Sequence, residues 1–315
     1  MSATKIFFAT DIHGSEICFK KFLTAANVYK ANAIILGGDV TGKMIIPIVQ
    51  SGSSYSATLL GQERIAKNQD ELDGLKKNIR DVGYYPYLTD PGEMAELQQN
   101  KEKVSELFTS LMIESVSRWI KMAEERLRGS GIKCFISPGN DDILAIDTVV
   151  KQSDYVIDPE GIVVEIGGYE MISSGYSNIT PWNCPRDIPE EKLSEKIESM
   201  VMQVKRMESC IFNMHCPPFA SKLDTAPELD KNLRTLMRGG QPSEVPVGSH
   251  AVRAAIEKHQ PLLGLHGHIH ESRATARIGK TLCINPGSEY TEGLLRGAIV
   301  NLEKERVKNH MFVCG

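Results

Sequence analysis

NAIILGGDVTGKM, residues 32–44, admits two readings that lead to different folds. Gly37, Gly42 and Lys43 fit the first seven positions of GxxxxGK[ST], the loop that cradles nucleotide phosphates ahead of a helix. That loop needs Ser or Thr next, to hold Mg²⁺, and a helix starting there so that its amides face the anion. The chain instead supplies Met44 and then IIPIV, whose β-branched run and Pro47 oppose a helix. The loop would also set the Asp39 carboxylate among amides meant for phosphate. The stretch therefore reads as a strand that ends by presenting Asp39, with the adjacent glycines allowing close approach of backbone.

Working outward, KIFFAT (5–10) is a second short apolar run, joined to the first by SEICFKKFLTAANVYK, which can be helical. Strand, helix, strand implies a parallel pair in an α/β fold. KCFISPG (133–139) ends in the same way, in Gly and a polar cluster. Between these strands, Leu107, Phe108, Leu111, Met112, Val116, Trp119, Ile120, Ala123 and Leu127 follow the spacing of an amphipathic helix. Ile65, Leu72, Leu75, Ile79 and Val82 form a sparser version. Residues 44–130 are thus expected to be a mostly helical insertion in a single domain covering 1–315. Further on, GIVVEI, YEMISSGY, CIFNMHCPPF, PLLGLHGHIHES, TLCINPGS and GAIVNL read as strands. Between them lie a helix entered at Pro189 and another capped by Ser249.

At 41% apolar and 24% charged residues the composition is that of a soluble globular protein. A net charge of −4 argues against a general nucleic-acid surface. No signal-peptide pattern or membrane-length run is seen, so a cytoplasmic location and no membrane partner are the expectation. Seven cysteines without CxxC spacing read as reduced thiols.

Each of several strands ends in a group able to ligate a metal: ATDIHG (Asp11, His13), GGDV (Asp39), GNDD (Asn140), NMHCPP (His215) and HGHIH (His268, His270). In open α/β sheets the carboxyl ends of strands converge on one crevice, so these groups can meet in space. Singly each motif is weak. HGHIH is sharper, because alternate residues of an extended strand share a face, with His266 as a supporting residue. Arg186, Lys222, Arg238 and Arg253 are candidates for phosphate contact if they face the crevice. Tyr84, Tyr85 and Tyr87 can pack the insertion or line an approach, and Asn285 and Ser288 can support the site.

With those motifs in order, the chain resembles the calcineurin-like metallophosphoesterases, whose pattern runs DxH, GD, GNH[DE], H and GHxH. GNDD, HCPPFASKLD, GSHAVR, LHGHIHES and INPGSEY are most similar to the Icc-related phosphoesterase branch. The resemblance spans Asp11 to Ser288, the insertion apart. It implies a four-layer α/β/β/α sandwich of two mixed β-sheets with a helical insertion. It implies two divalent or trivalent transition-metal ions, Mn, Fe, Zn or Co, a choice that suits mixed nitrogen and oxygen ligands. Asp11, His13 and His270 would hold one ion, Asn140, His215 and His268 the other, and Asp39 both. The activity implied is hydrolysis of phosphoric esters, phosphodiesters foremost, by attack of a metal-bridging hydroxide.

One position departs from the pattern. Asp141 stands where the family has the His assigned to the leaving group or substrate phosphate. An ordinary Asp near pKa ~3.9 is a poor acid at neutral pH, so Asp141 is expected to line the site or orient water, or else to cap the helix DDILAIDTVV. The departure favours leaving groups that need no protonation, in a small phosphorylated substrate such as an aryl or nucleotide-like diester. The alternatives are a nuclease of the same fold, which a salt-dependent affinity for DNA or RNA would reveal, and a catalytically weak metal-bearing scaffold.

Overall fold

A computed structural model describes residues 3–315. Among these described residues are seven α-helices: α1 (Glu16–Val28), α2 (Gln69–Asp81), α3 (Pro91–Gln99), α4 (Lys101–Leu127), α5 (Ala145–Lys151), α6 (Glu190–Val201) and α7 (His250–His259).

Two six-stranded sheets form the body. In the first, Thr4–Ala9, Ala33–Gly37, Lys133–Ser137 and Val156–Ile157 run parallel, and Arg296–Glu303 with Arg306–Cys314 add antiparallel strands on one side. In the second, Tyr169–Ser174, Ile211–Met214, Leu263–Leu265 and Thr281–Asn285 run parallel between antiparallel edges Val163–Ile166 and Ala274–Ile278. Because side chains alternate across a strand, each sheet has two faces to bury. Ile6, Phe8, Ile35 and Phe135 of the first meet Met171, Ile211, Leu265 and Ile284 of the second in a shared apolar layer. On its other face the first sheet is covered by α1, α4 and α5, through Phe19, Phe22, Trp119, Ala123 and Val150. The second is covered by α6 and α7, through Leu193, Ile197, Val252 and Ile256. The result is the four-layer α/β/β/α sandwich of two mixed sheets.

Residues 44–130, expected as a mostly helical insertion, hold α2, α3 and α4 together with a third sheet of four strands. Ile45–Ser51, Ser54–Leu59 and Gln62–Ala66 form an antiparallel meander, and Tyr85–Thr89 pairs parallel with the first of them. This sheet and α2 share a separate apolar cluster of Ile46, Ile48, Ala57, Leu59, Leu72, Leu75 and Ile79. Ile65, which shares the spacing of the α2 face, lies instead on a strand and is largely exposed. α4 belongs to the body's outer helical layer: Trp119 stacks on Phe19 with ring centroids 4.4 Å apart and 8° between planes. The buried Glu16 carboxylate pairs with Arg80 of α2 at 3.3 Å and Arg118 of α4 at 3.0 Å. Ser15 Oγ donates to Asp81 O at 2.7 Å. Those contacts fix the insertion against the loop that carries His13. Among the described residues, no helix is long and apolar enough to cross a membrane.

Candidate metal centre

The parallel strands of both sheets send their carboxyl ends to one place. Thr4–Ala9 leads into Asp11 and His13, Ala33–Gly37 into Asp39, and Lys133–Ser137 into Asn140 and Asp141. From the second sheet, Ile211–Met214 leads into His215, and Leu263–Leu265 into His268 and His270. Two ligand groups result, Asp11, His13, Asp39 and His270 in one and Asp39, His215 and His268 in the other. Within each, one ligating atom per residue lies within 4.8 Å of the rest. Asp39 belongs to both, and it divides its oxygens between them: Oδ2 is 3.4 Å from His13 Nε2, Oδ1 is 3.4 Å from His215 Nε2. Asp11 Oδ1 is 3.5 Å from His270 Nε2, and His13 Nε2 is 3.0 Å from His270 Nε2.

Holding so many donors on short turns strains the backbone. Asp11, His13, Asp39 and His268 all have positive φ, at 55°, 39°, 49° and 68°, a region costly to non-glycine residues and kept only where surroundings enforce it. The enforcement is visible. Asp11 N–H donates to Gly38 O at 3.0 Å and His13 N–H to Asp39 O at 2.9 Å. His268 N–H donates to both Asp11 oxygens at 3.0 Å, and Ser288 Oγ donates to Asp11 O at 2.6 Å. Gly38 is needed for space, because a Cβ there would stand 2.2 Å from His215 Nδ1.

Polar groups behind the ligands set their orientation. His215 Nδ1 lies 3.0 Å from Gly37 O, which leaves Nε2 for the centre. Asn140 Nδ2 donates to Asp187 Oδ1 at 2.9 Å, and its buried Oδ1 is left without a hydrogen-bond partner. Asp187 is itself held by Thr180 and by Cys184 N–H. Asp142 is buried and accepts from the N–H groups of Gly139, Val40 and Thr41 and from Thr41 Oγ1, fastening the Asp39 turn to the Asn140 turn. Asn285 Nδ2 donates to the carbonyls of Gly267 and Ile269, bracing the histidine loop.

The electrostatics are those of a cavity built for positive charge. Burial raises the Asp11 and Asp39 carboxyls, but neighbouring histidines outweigh it: His215 and His270 bring Asp11 to about 2, and His215 and His13 hold Asp39 well below the carboxylate range. Burial lowers His13 and His268 to about 4. For His215 burial is overcome by Asp39 and Asp11, which raise it to about 9. Asn140 Oδ1 and His215 Nε2 are buried without hydrogen-bond partners. Buried polar atoms are almost always satisfied, so these two unpartnered atoms, His215 Nε2 standing between the Asp11 and Asp39 carboxylates, fit a bound cation.

Six of the seven proposed ligands fall in these two groups; Asn140 stands on the neighbouring turn, its Oδ1 buried without a hydrogen-bond partner. The histidine loop arrives by a different geometry from the one its spacing implied. The strand ends at Leu265, His268 turns through positive φ, and His268 and His270 fall in different ligand groups. His266 is buried and supports the site, with Nδ1 2.9 Å from Met214 O. Asp141 caps no helix: α5 starts at Ala145 behind Leu144 without a side-chain cap. Its Oδ2 lies 3.9 Å from His13 Nδ1 and 2.8 Å from Lys43 Nζ, and Oδ1 is 3.6 Å from Cys184 Sγ.

The outlying arginines do not enter the crevice. Arg186 is wholly buried and donates to Asp142 O at 3.0 Å while pairing with Asp147. Arg253 donates to Phe219 O, and Arg238 pairs with Glu228. Sequence reasoning missed Asp142, Asp187, Lys43 and Tyr290, whose ring centroid lies 4.9 Å from that of His13 and 5.9 Å from that of His270. Lys43 had a signal, since it closed the phosphate-loop match that the fold rejected. Asp187 had none, being remote in the chain from the asparagine it orients.

No family model matches the chain. A stretch of 151 residues is 28% identical to an uncharacterized protein of Methanocaldococcus jannaschii, covering 47% of this chain and 61% of that protein. A solved structure aligns over 99% of this chain and 98% of its own, at TM-score 0.60 and 16% identity. A Thermus thermophilus structure aligns over 100% and 99%, at TM-score 0.54 and 13% identity. These likenesses show a shared α/β fold. Within that fold the strand-end motifs bring Asp11, His13, Asp39, His215, His268 and His270 together.

Proposed function

We propose that the chain is a dinuclear metal-dependent hydrolase of phosphoric esters, acting on phosphodiesters foremost. The observation that carries this reading is Asp39, which offers one carboxylate oxygen to each of two ligand groups. His13, His270 and Asp11 would hold the first ion, His215, His268 and Asn140 the second, and the mixed donors suit Mn, Fe, Zn or Co. When bound, such ions would supply Lewis acidity, lowering the pKa of a water and offsetting charge on phosphoryl oxygens.

The chain's own groups supply the rest. Asp187 and the Gly37 carbonyl fix Asn140 and His215, so that little reorganisation is needed when a charged substrate arrives. Asp141 lies on the accessible side of the ligand cluster, 28% exposed, where it can position a substrate or water. The absence of the usual His at that position favours leaving groups that depart without protonation. The partner proposed is a small phosphorylated molecule, nucleotide-like or aryl, acted on in the cytoplasm.

The test is turnover of an aryl phosphodiester and the matching monoester after chelation and after restoring Mn²⁺. The reading expects activity only in the restored protein and greater on the diester. No turnover of either, with two ions bound, would contradict it.

A further inference from the structure

Lys43 stands at the seam between the metal centre and the insertion. Its Nζ is 2.8 Å from Asp141 Oδ2, and that oxygen is 3.9 Å from His13 Nδ1, so the ammonium sits at the lip of the ligand cluster with half its side chain open to solvent. The turn that carries it is fixed. Gly42 N–H donates to the buried Tyr85 hydroxyl at 2.7 Å, and a Cβ on Gly42 would stand 2.1 Å from Gly83 O. Tyr85 and Gly83 both belong to the inserted segment, which therefore aims the lysine. From the other side Tyr290 covers the rings of His13 and His270.

We propose that Lys43 binds the substrate's phosphoryl group. Its ammonium, parked on Asp141, pairs with an anionic non-bridging oxygen of an ester held at the centre, and Asp141 is the residue that positions it. This rests on the phosphoesterase reading. A compact ammonium on a long stem suits the task, since it can reach an oxygen without the planar geometry that a guanidinium demands. The inserted segment thereby gains a function at the site: it sets where the phosphate-binding cation stands.

Inorganic phosphate is the probe. Calorimetric titration of the metal-loaded protein should show Lys43→Met binding phosphate at least about tenfold more weakly than the natural chain. Metal content should be unchanged, and Lys43→Arg, which keeps the charge but not the ammonium's geometry, should recover only part of the affinity. With an aryl phosphodiester the Lys43→Met loss should appear mainly as a raised KM. Phosphate affinity unchanged in Lys43→Met, with both ions in place, would overturn the proposal.

A second measurement uses the unaltered chain. Acylation of Lys43 by an amine-directed reagent, mapped by mass spectrometry, should be suppressed by saturating phosphate, and equal acylation with and without phosphate would overturn it. If the natural chain turns over no phosphoric ester yet loses phosphate binding on Lys43→Met, the anion site stands and the hydrolase reading fails. Turnover with phosphate binding indifferent to Lys43 would overturn the anion site and leave the hydrolase reading intact.

Discussion

The ligand loops and the inserted segment meet at His13 and Lys43, and they are organised by opposite rules. The ligand loops are scattered from Asp11 to His270, and each is only a few residues long. Five of their seven ligand residues are buried and four have positive φ, and hydrogen bonds tie the loops to one another across both sheets. The insertion is continuous in sequence and builds a small apolar cluster of its own around Ile48 and Ile79. Chemistry concentrates where the backbone is over-determined by its neighbours. The insertion, stabilised by ordinary packing, can vary its surface while still holding the turn that ends in Lys43.

That contrast is broken or sharpened by substitutions on either side of it. The largest effect is expected for Asp39→Ala, which removes the carboxylate that both ligand groups share. Elemental analysis should find both ions depleted, and turnover should fall by at least about a thousandfold. A variant that kept two ions would show that the two ligand groups do not depend on Asp39.

Ile79→Ala acts on the other region. Ile79 is fully buried in the insertion's cluster, and its truncation should cost about 2–5 kcal/mol in denaturant unfolding. Metal content should not change. Loss of metal together with stability would mean that the two regions fold as one unit.

Asp142→Asn probes the ties between loops. It removes charge from a buried carboxylate that accepts from Gly139, Val40 and Thr41, and competitive chelation should show metal affinity about 10–100-fold weaker. Asp141→Asn, one residue away, should leave metal affinity close to that of the natural chain, because Asp141 faces Lys43 and lies outside the ligand groups.

The smallest effect lies away from both regions. Burial raises the Glu160 carboxyl from 4.5 to about 7, with Gly175 N–H and Arg186 opposing the shift. A raised folded pKa gives stability that is fully present below pH 4.5 and is lost as pH rises through about 7. Glu160→Gln should remove that dependence. Its stability relative to the natural chain should improve by on the order of 2 kcal/mol between pH 5 and 8. Parallel stability curves for the two proteins would refute the assignment.

The same contrast explains why some features are legible in the sequence and others are not. Ligand loops follow short apolar strands and end in fixed local patterns, so Asp11, His13, Asp39, Asn140, His215, His268 and His270 are visible from spacing and strand order. The first body sheet is visible because KIFFA, AIILG and KCFIS are apolar runs with nearly every residue buried, and the second because IFNM and TLCIN are buried throughout. The insertion's sheet is not visible, because SYSATL and QERIA mix polar and apolar residues without strict alternation. There Ile65 falls in helical register with Leu72 by accident. Pairing across two hairpins, rather than any local preference, makes those segments strands. The motif singles out Asp141 by position but gives no sign of the role of Asp142, because what separates these adjacent identical residues is tertiary: Lys43 meets one and the Asp39 turn the other.

The central claim is that side chains remote in the chain gather around two ions. Anomalous diffraction from crystals grown with saturating Mn²⁺, alongside elemental analysis, tests it most directly. Two peaks are predicted, one among Asp11, His13, His270 and Asp39 and the other among Asp39, Asn140, His215 and His268. No peak at either position under saturation would contradict the account.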